Sequence, residues 1–148
     1  MLTYDRVWFE LARRSLPGKD GWLHKELLAD GDVKAAAVYA RSAFEWKLRK
    51  ICEGHGIGIP FKPEPDKVGA GALWEGIVRR QREREEQRKK GTQVPDFVPL
   101  PLETAVETMR STVLNKLSHT DVSNLVRAEV AAAIAIVQQV MAHEFPKS

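Results

Sequence analysis

The residue types best suited to chemistry gather in one short polar stretch, Leu114-Asn115-Lys116-Leu117-Ser118-His119-Thr120-Asp121. It interrupts two strongly apolar segments, so side chains from two helices can converge on it. His119 offers an imidazole for proton transfer, Asn115 sits four residues before it, and Arg110 upstream supplies a cation for a phosphate. Such a set suits metal-independent cleavage of RNA, in which the imidazole moves the proton at the 2′-hydroxyl or at the leaving oxygen. The spacing strains that use. Arg110 and His119 are nine residues apart, roughly 13 Å along an unbroken helix. Only a break in the helix, or a second subunit, would bring both onto one phosphate. The plainer use of the same residues is structural: Ser118-x-x-Asp121 has the spacing of a capping box, satisfying free amides where the last helix begins.

The flanking elements must position this stretch. Before it, Leu102, Val106, Met109, Val113 and Leu114 recur at helical steps. After it, the chain from Asn124 to His143 is nearly continuously apolar, and its alanines favour helix over strand. The segment from Val33 to Glu53 predicts the longest helix, with Val33, Ala36, Ala37, Ala40, Phe44, Leu48, Ile51 and Cys52 on one stripe and Asp32 as its N-cap. Its early face is small, so a neighbouring helix can approach closely. Arg41, Glu45 and Arg49 follow at steps of four and form either a surface ion-pair ladder or a partly buried network that sets helix register.

A fourth helix is expected over Ala70 to Lys90, with Leu73, Trp74, Ile77 and Val78 toward the core. Two Gly- and Pro-rich stretches, Gly54 to Pro65 and Gly91 to Pro101, read as connectors. The first should lay Ile57, Ile59 and Phe61 on the core and leave His55 in an exposed loop. It lacks the order and spacing of a phosphate-binding P-loop. Ahead of all this, Tyr4, Val7, Trp8, Leu11 and Ala12 mark one amphipathic helix, and Gly21 to Leu28 a shorter one. The expectation is an all-α, single-domain chain over residues 1–148, a bundle of four main helices with one or two short N-terminal helices.

Charge and cysteine use narrow the function classes. The chain carries a formal +3, but seven basic residues between Arg79 and Lys90 (Arg79, Arg80, Arg82, Arg84, Arg88, Lys89, Lys90) face only three acidic ones, so this run is +4 and the remainder about −1. The run reads as a projecting, solvated helix end laced by pairs at spacing four. As an alternative it is an arm for RNA or DNA phosphates, although no aromatic interleaves it for base stacking. The single Cys52 forms no internal disulfide, and no signal peptide pattern opens the sequence, which implies a cytoplasmic setting. The longest apolar run, Val130 to Val137, is too short to span a membrane. One cysteine and four scattered histidines give no metal-ligand spacing, so neither metal nor cofactor is expected.

The helix bearing Ala40-Arg41-Ser42-Ala43-Phe44-Glu45-Trp46-Lys47-Leu48-Arg49-Lys50-Ile51-Cys52, followed by the connector, the charged helix, Leu114 to Asp121 and Arg127-Ala128-Glu129-Val130, resembles the HEPN-like helical domains. More narrowly, it is similar to the C-terminal helical region of bacterial RecF/SMC-like ATPases linked to phage defence. In active members of the wider group an Arg, often with a polar residue directly after it, is separated by four to six residues from a later His, at a dimer interface. His119 matches that His and Asn115 the polar position, but the three positions where the Arg would stand hold Leu114, Val113 and Thr112. The resemblance therefore implies a non-catalytic, dimerising interaction module beside or within an ATPase. An endoribonuclease using His119, Asn115 and Arg110 is the alternative, and a nucleic-acid binder using the basic run is a third.

Overall fold

The computed structural model describes residues 32–58, 69–114 and 126–147. These form four helices: α1 (Val33–His55), α2 (Ala70–Lys89), α3 (Leu100–Met109), which passes into a wider π-helical turn at Arg110–Leu114, and α4 (Arg127–Ala142). The all-α bundle of four main helices is thus the observed architecture. The two N-terminal helices expected before Asp32, the loop residues Ile59 and Phe61, and Asn115, Ser118, His119 and Asp121 lie outside the described residues.

Local chemistry accounts for where the helices start and stop. Asp32 caps α1, its Oδ1 accepting from the Ala35 amide at 3.1 Å. At the other end Gly56 takes φ 64°, a left-handed conformation natural to glycine, and the Ile57 amide returns to the Cys52 carbonyl at 2.9 Å. This closure drops Ile57 into the core, against Gly76 of α2. A Cβ at Gly76 would stand 2.9 Å from the Ile57 Cγ2, so the glycine permits the close approach of loop and helix. Helix α3 begins behind Pro99, with Pro101 in the first turn, where a missing amide proton costs nothing. Its far end widens where Ser111 and Thr112 both return their hydroxyls to the Thr108 carbonyl at 2.9 Å, competing with the backbone ladder.

The core sits where the predicted stripes meet. The alanine face of α1 (Ala36, Ala37, Ala40 and Ala43, all at most 2% exposed) is buried, and α1 packs on both α2 and α4, the latter turning Val130, Ala133, Ile134, Val137 and Val140 inward. Phe44 and Trp74 fill the centre, ring centroids 6.4 Å apart. Helix α3 runs antiparallel to α2: Glu103 meets Arg82, and the Trp74 indole donates to Glu107 at 2.8 Å. Helices α1 and α4 point the same way, so their C-terminal ends lie together. No helix among the described residues is long and apolar enough to cross a membrane.

Candidate functional site

Two places gather charged side chains from different helices, at opposite ends of the bundle. The first lies beside the end of the π-helical turn. Arg41 and Glu45 of α1, Gly69 and Gly71 at the start of α2, and Arg110 and Leu114 enclose a recess of about 230 Å³. Arg41 Nε bonds Glu45 Oε1 at 3.1 Å, with the Glu45 side chain only 13% exposed, so this pair is more covered than a surface ladder. Arg49 is half-buried one turn further along α1. Arg110, 24% exposed, reaches Glu107 at 3.4 Å. Its Nη2 lies 3.2 Å from where a Gly71 Cβ would stand, so glycine lets the guanidinium lie against α2.

This arrangement unites two sets that sequence spacing kept apart, the Arg41–Glu45 pair and Arg110. Two guanidiniums in one recess can hold an oxyanion, and each is balanced by a carboxylate on its own helix. Proton transfer there would need His119. That residue and Asn115 follow closely on Leu114 but lie outside the described residues. The described start of α4 is Arg127, behind Val126 in extended conformation and with no side-chain cap.

The basic run on α2 is solvated at its end, where Glu86 to Lys90 are all exposed, as expected, but its middle is not. The loop 91–99 folds back along it, and the residues after α4 cover the other side. Gln81 and Arg84, 3% and 4% exposed, are buried within the run. The Gln81 carbonyl accepts from the amides of Phe97 and Val98 at 2.6 and 2.9 Å, while its amino group donates to Asp96 at 2.8 Å. Arg84 donates to the carbonyls of Pro95 at 3.2 Å and Pro146 at 2.6 Å. Arg82 pairs with Glu103, Arg88 with Asp96, and Lys89 with Glu86. Burial, then the neighbouring Arg80, pushes the Arg84 pKa down. Gln81 and Arg88 hold the Asp96 carboxyl below the usual carboxylate range. Arg79 and Lys90 are exposed and make no ion pair among the described residues. Arg84 and Arg88 therefore tie tail and loop to α2, Arg80 and Arg82 reach the end of α1 and α3, and Arg79, Lys89 and Lys90 face solvent.

The second place, at the C-terminal ends of α1 and α4, was not visible in the spacing. His55 closes α1 half-buried, not in an exposed loop: its carbonyl accepts from Arg80 at 3.2 Å and its ring stands edge-on to Phe97 at 5.0 Å. Phe97 continues to Phe145 at 5.2 Å, and Phe145 to His143 at 4.5 Å. A ring nitrogen of His143 lies 3.2 Å from the Phe97 carbonyl and so donates to it. Arg84 and Arg80 stand 5.2 and 5.9 Å from the Phe97 ring centre. A groove of about 480 Å³ opens beside these rings, with Lys47, Lys50 and Lys147 on its walls. Burial first, then the fields of Arg80, Lys147, Arg84 and Lys47, depress the His55 pKa. The signal available in the sequence was the aromatic and histidine content of the last residues, His143 and Phe145, which no local periodicity connects to His55.

No three His, Cys, Asp or Glu side chains among the described residues gather as a metal ion would require. The geometry defines an all-α bundle with a cationic recess at one end and a cationic, aromatic groove at the other. No family model, curated protein or solved structure matches this chain.

Proposed function

We propose that the chain is a non-enzymatic helical interaction module that pairs with a second copy of itself through the outer face of α4, and that it serves a bacterial ATPase or defence system in the way the HEPN-like resemblance implies. The observation that supports pairing is the composition of α4. Between Glu129 and His143 the helix carries no charge, yet Ala131, Ala132, Ala135, Gln139 and Ala142 are exposed, and Val126 just before the helix is 50% exposed. A helix uncharged all round is the pattern of one covered on both sides. One side is covered by α1 and α3. The exposed side presents small residues at steps of three and four, which lets another backbone approach closely. A face with no charge to bury is complementary to itself, as a two-fold contact requires.

The test is the mass in solution of the wild-type chain beside Ala132→Glu and Ala135→Glu. Both positions are exposed, so the monomer fold tolerates them. A wild-type dimer that becomes monomeric in both variants, with unchanged thermal unfolding, is the expected result. A monomer at high micromolar concentration, or a dimer indifferent to both changes, would overturn the reading. Metal-free RNA cleavage by the wild type that disappears in His119→Ala and Arg110→Ala would replace it with the ribonuclease.

A further inference from the structure

The groove between the C-terminal half of α1 and the residues after α4 combines two features that the basic run on α2 lacks. Two of its three lysines make no ion pair among the described residues, and the rings that stand among them are partly exposed, unlike the buried Phe97 beside Arg80 and Arg84. Lys47 and Lys147 make no ion pair among the described residues, while Lys50 meets Glu53 only at 3.7 Å, both side chains more than half exposed. Lys50 also lies 6.0 Å from the centre of the Trp46 ring, which stands beside the groove and not on its walls, while His143 and Phe145 line it and are each half-buried. Glu144 is the carboxylate on the groove wall. Arg80 and Arg84 stand behind Phe97 and add to the positive field.

We propose that this groove binds single-stranded nucleic acid, with Lys47, Lys50 and Lys147 on the phosphates, His143 and Phe145 offering faces to the bases, and Trp46, next to Lys50 but outside the lining, reporting on a bound strand. Alternation of cations with partly exposed rings is what a single strand needs. Every base has a face to stack, and the backbone follows the charge. An acidic peptide would use the lysines and leave the rings idle. A duplex would present phosphates but keep its bases stacked within itself. The site lies at the end of the bundle away from Arg110, and on residues outside the run from Arg79 to Lys90 apart from its backing arginines.

The experiment uses the full chain and fluorescein-labelled single strands of deoxythymidine and of uridine, followed by anisotropy. Three phosphate contacts predict an affinity that falls about 20-fold between 50 and 200 mM salt. Lys47→Gln, Lys50→Gln and Lys147→Gln combined should weaken binding at least about tenfold at low salt and flatten that dependence. Lys50 and Lys147 are exposed and Lys47 partly so, and unchanged thermal unfolding confirms an intact fold. Bound strand should also quench tryptophan emission, and the quenching should be lost in Trp46→Leu. Arg79→Gln with Lys90→Gln, exposed cations of the basic run that make no ion pair among the described residues, should bind as wild type. Equal competition by polyglutamate or by a duplex would overturn the proposal, as would loss of binding in the α2 variant with the lysine variant unaffected. A preference between the two strands identifies RNA or DNA as the source of the ligand.

Discussion

Replacing Gln81 by Met removes one polar side chain from inside a run of charges and should be among the costliest single changes in the chain. Methionine matches the length and volume of glutamine, so no cavity is opened. What is lost is an acceptor. The amides of Phe97 and Val98, on residues 0% and 1% exposed, both end on the Gln81 oxygen and have no water to replace it. A buried unsatisfied donor costs about 1–3 kcal/mol, so two of them, with the Asp96 contact also lost, come to about 4 kcal/mol. That is a large share of the roughly 5–15 kcal/mol that holds a domain folded. With a urea dependence of about 2 kcal/mol per molar, the unfolding midpoint should fall by about 2 M while the slope stays constant. Gln81→Glu separates the causes. It keeps the acceptor and places a second carboxylate against Asp96, so at least one of the pair gains a raised folded pKa. Its stability should approach wild type in acid and be lost as pH rises through that raised value. A Gln81→Met midpoint within about 0.5 M of wild type, equivalent to about 1 kcal/mol, would refute the claim that these amides depend on Gln81.

Two further outcomes follow from titrating groups. Burial pushes the Cys52 thiol to about 11, with its sulfur 3.8 Å from the Leu73 carbonyl, so a disulfide reagent at pH 8 should leave it unlabelled in the native chain and label it once in urea; rapid stoichiometric labelling of the folded protein would contradict this. The His55 imidazole, held below its ordinary 6.5 by burial and then by Arg80, Lys147, Arg84 and Lys47, should titrate at a lower pH than a free histidine in an NMR series. Lys47→Gln with Lys147→Gln should move its midpoint up part of the way. Because the folded state disfavours the proton, the stability His55 contributes is present above the unfolded value and fades as pH falls through the folded one.

The four helices and their inward faces were legible from local pattern. Val130, Ala133, Ile134, Val137 and Val140 lie on one side of α4 because a 3.6-residue period is a property of the chain itself. Asp32 was legible as the N-cap of α1, whereas the helix runs through Gly54, where the sequence suggested it would stop, and ends at Gly56. The middle of the charged run was legible as charge but not as structure. Whether Arg84 meets water or the Pro146 carbonyl depends on a segment 62 positions away folding back upon it. The same holds for His55, whose glycine neighbours suggested an open loop and whose ring instead meets Phe97 and a groove walled by Lys147. Sequence by itself determined which residues are helical and which face seeks the core, since both follow from backbone geometry and the removal of apolar surface from water. Only the tertiary structure decided which polar groups are consumed inside the fold and which remain free for a ligand. A hydrogen bond needs one named partner at about 3 Å, and no local rule says which distant segment will supply it.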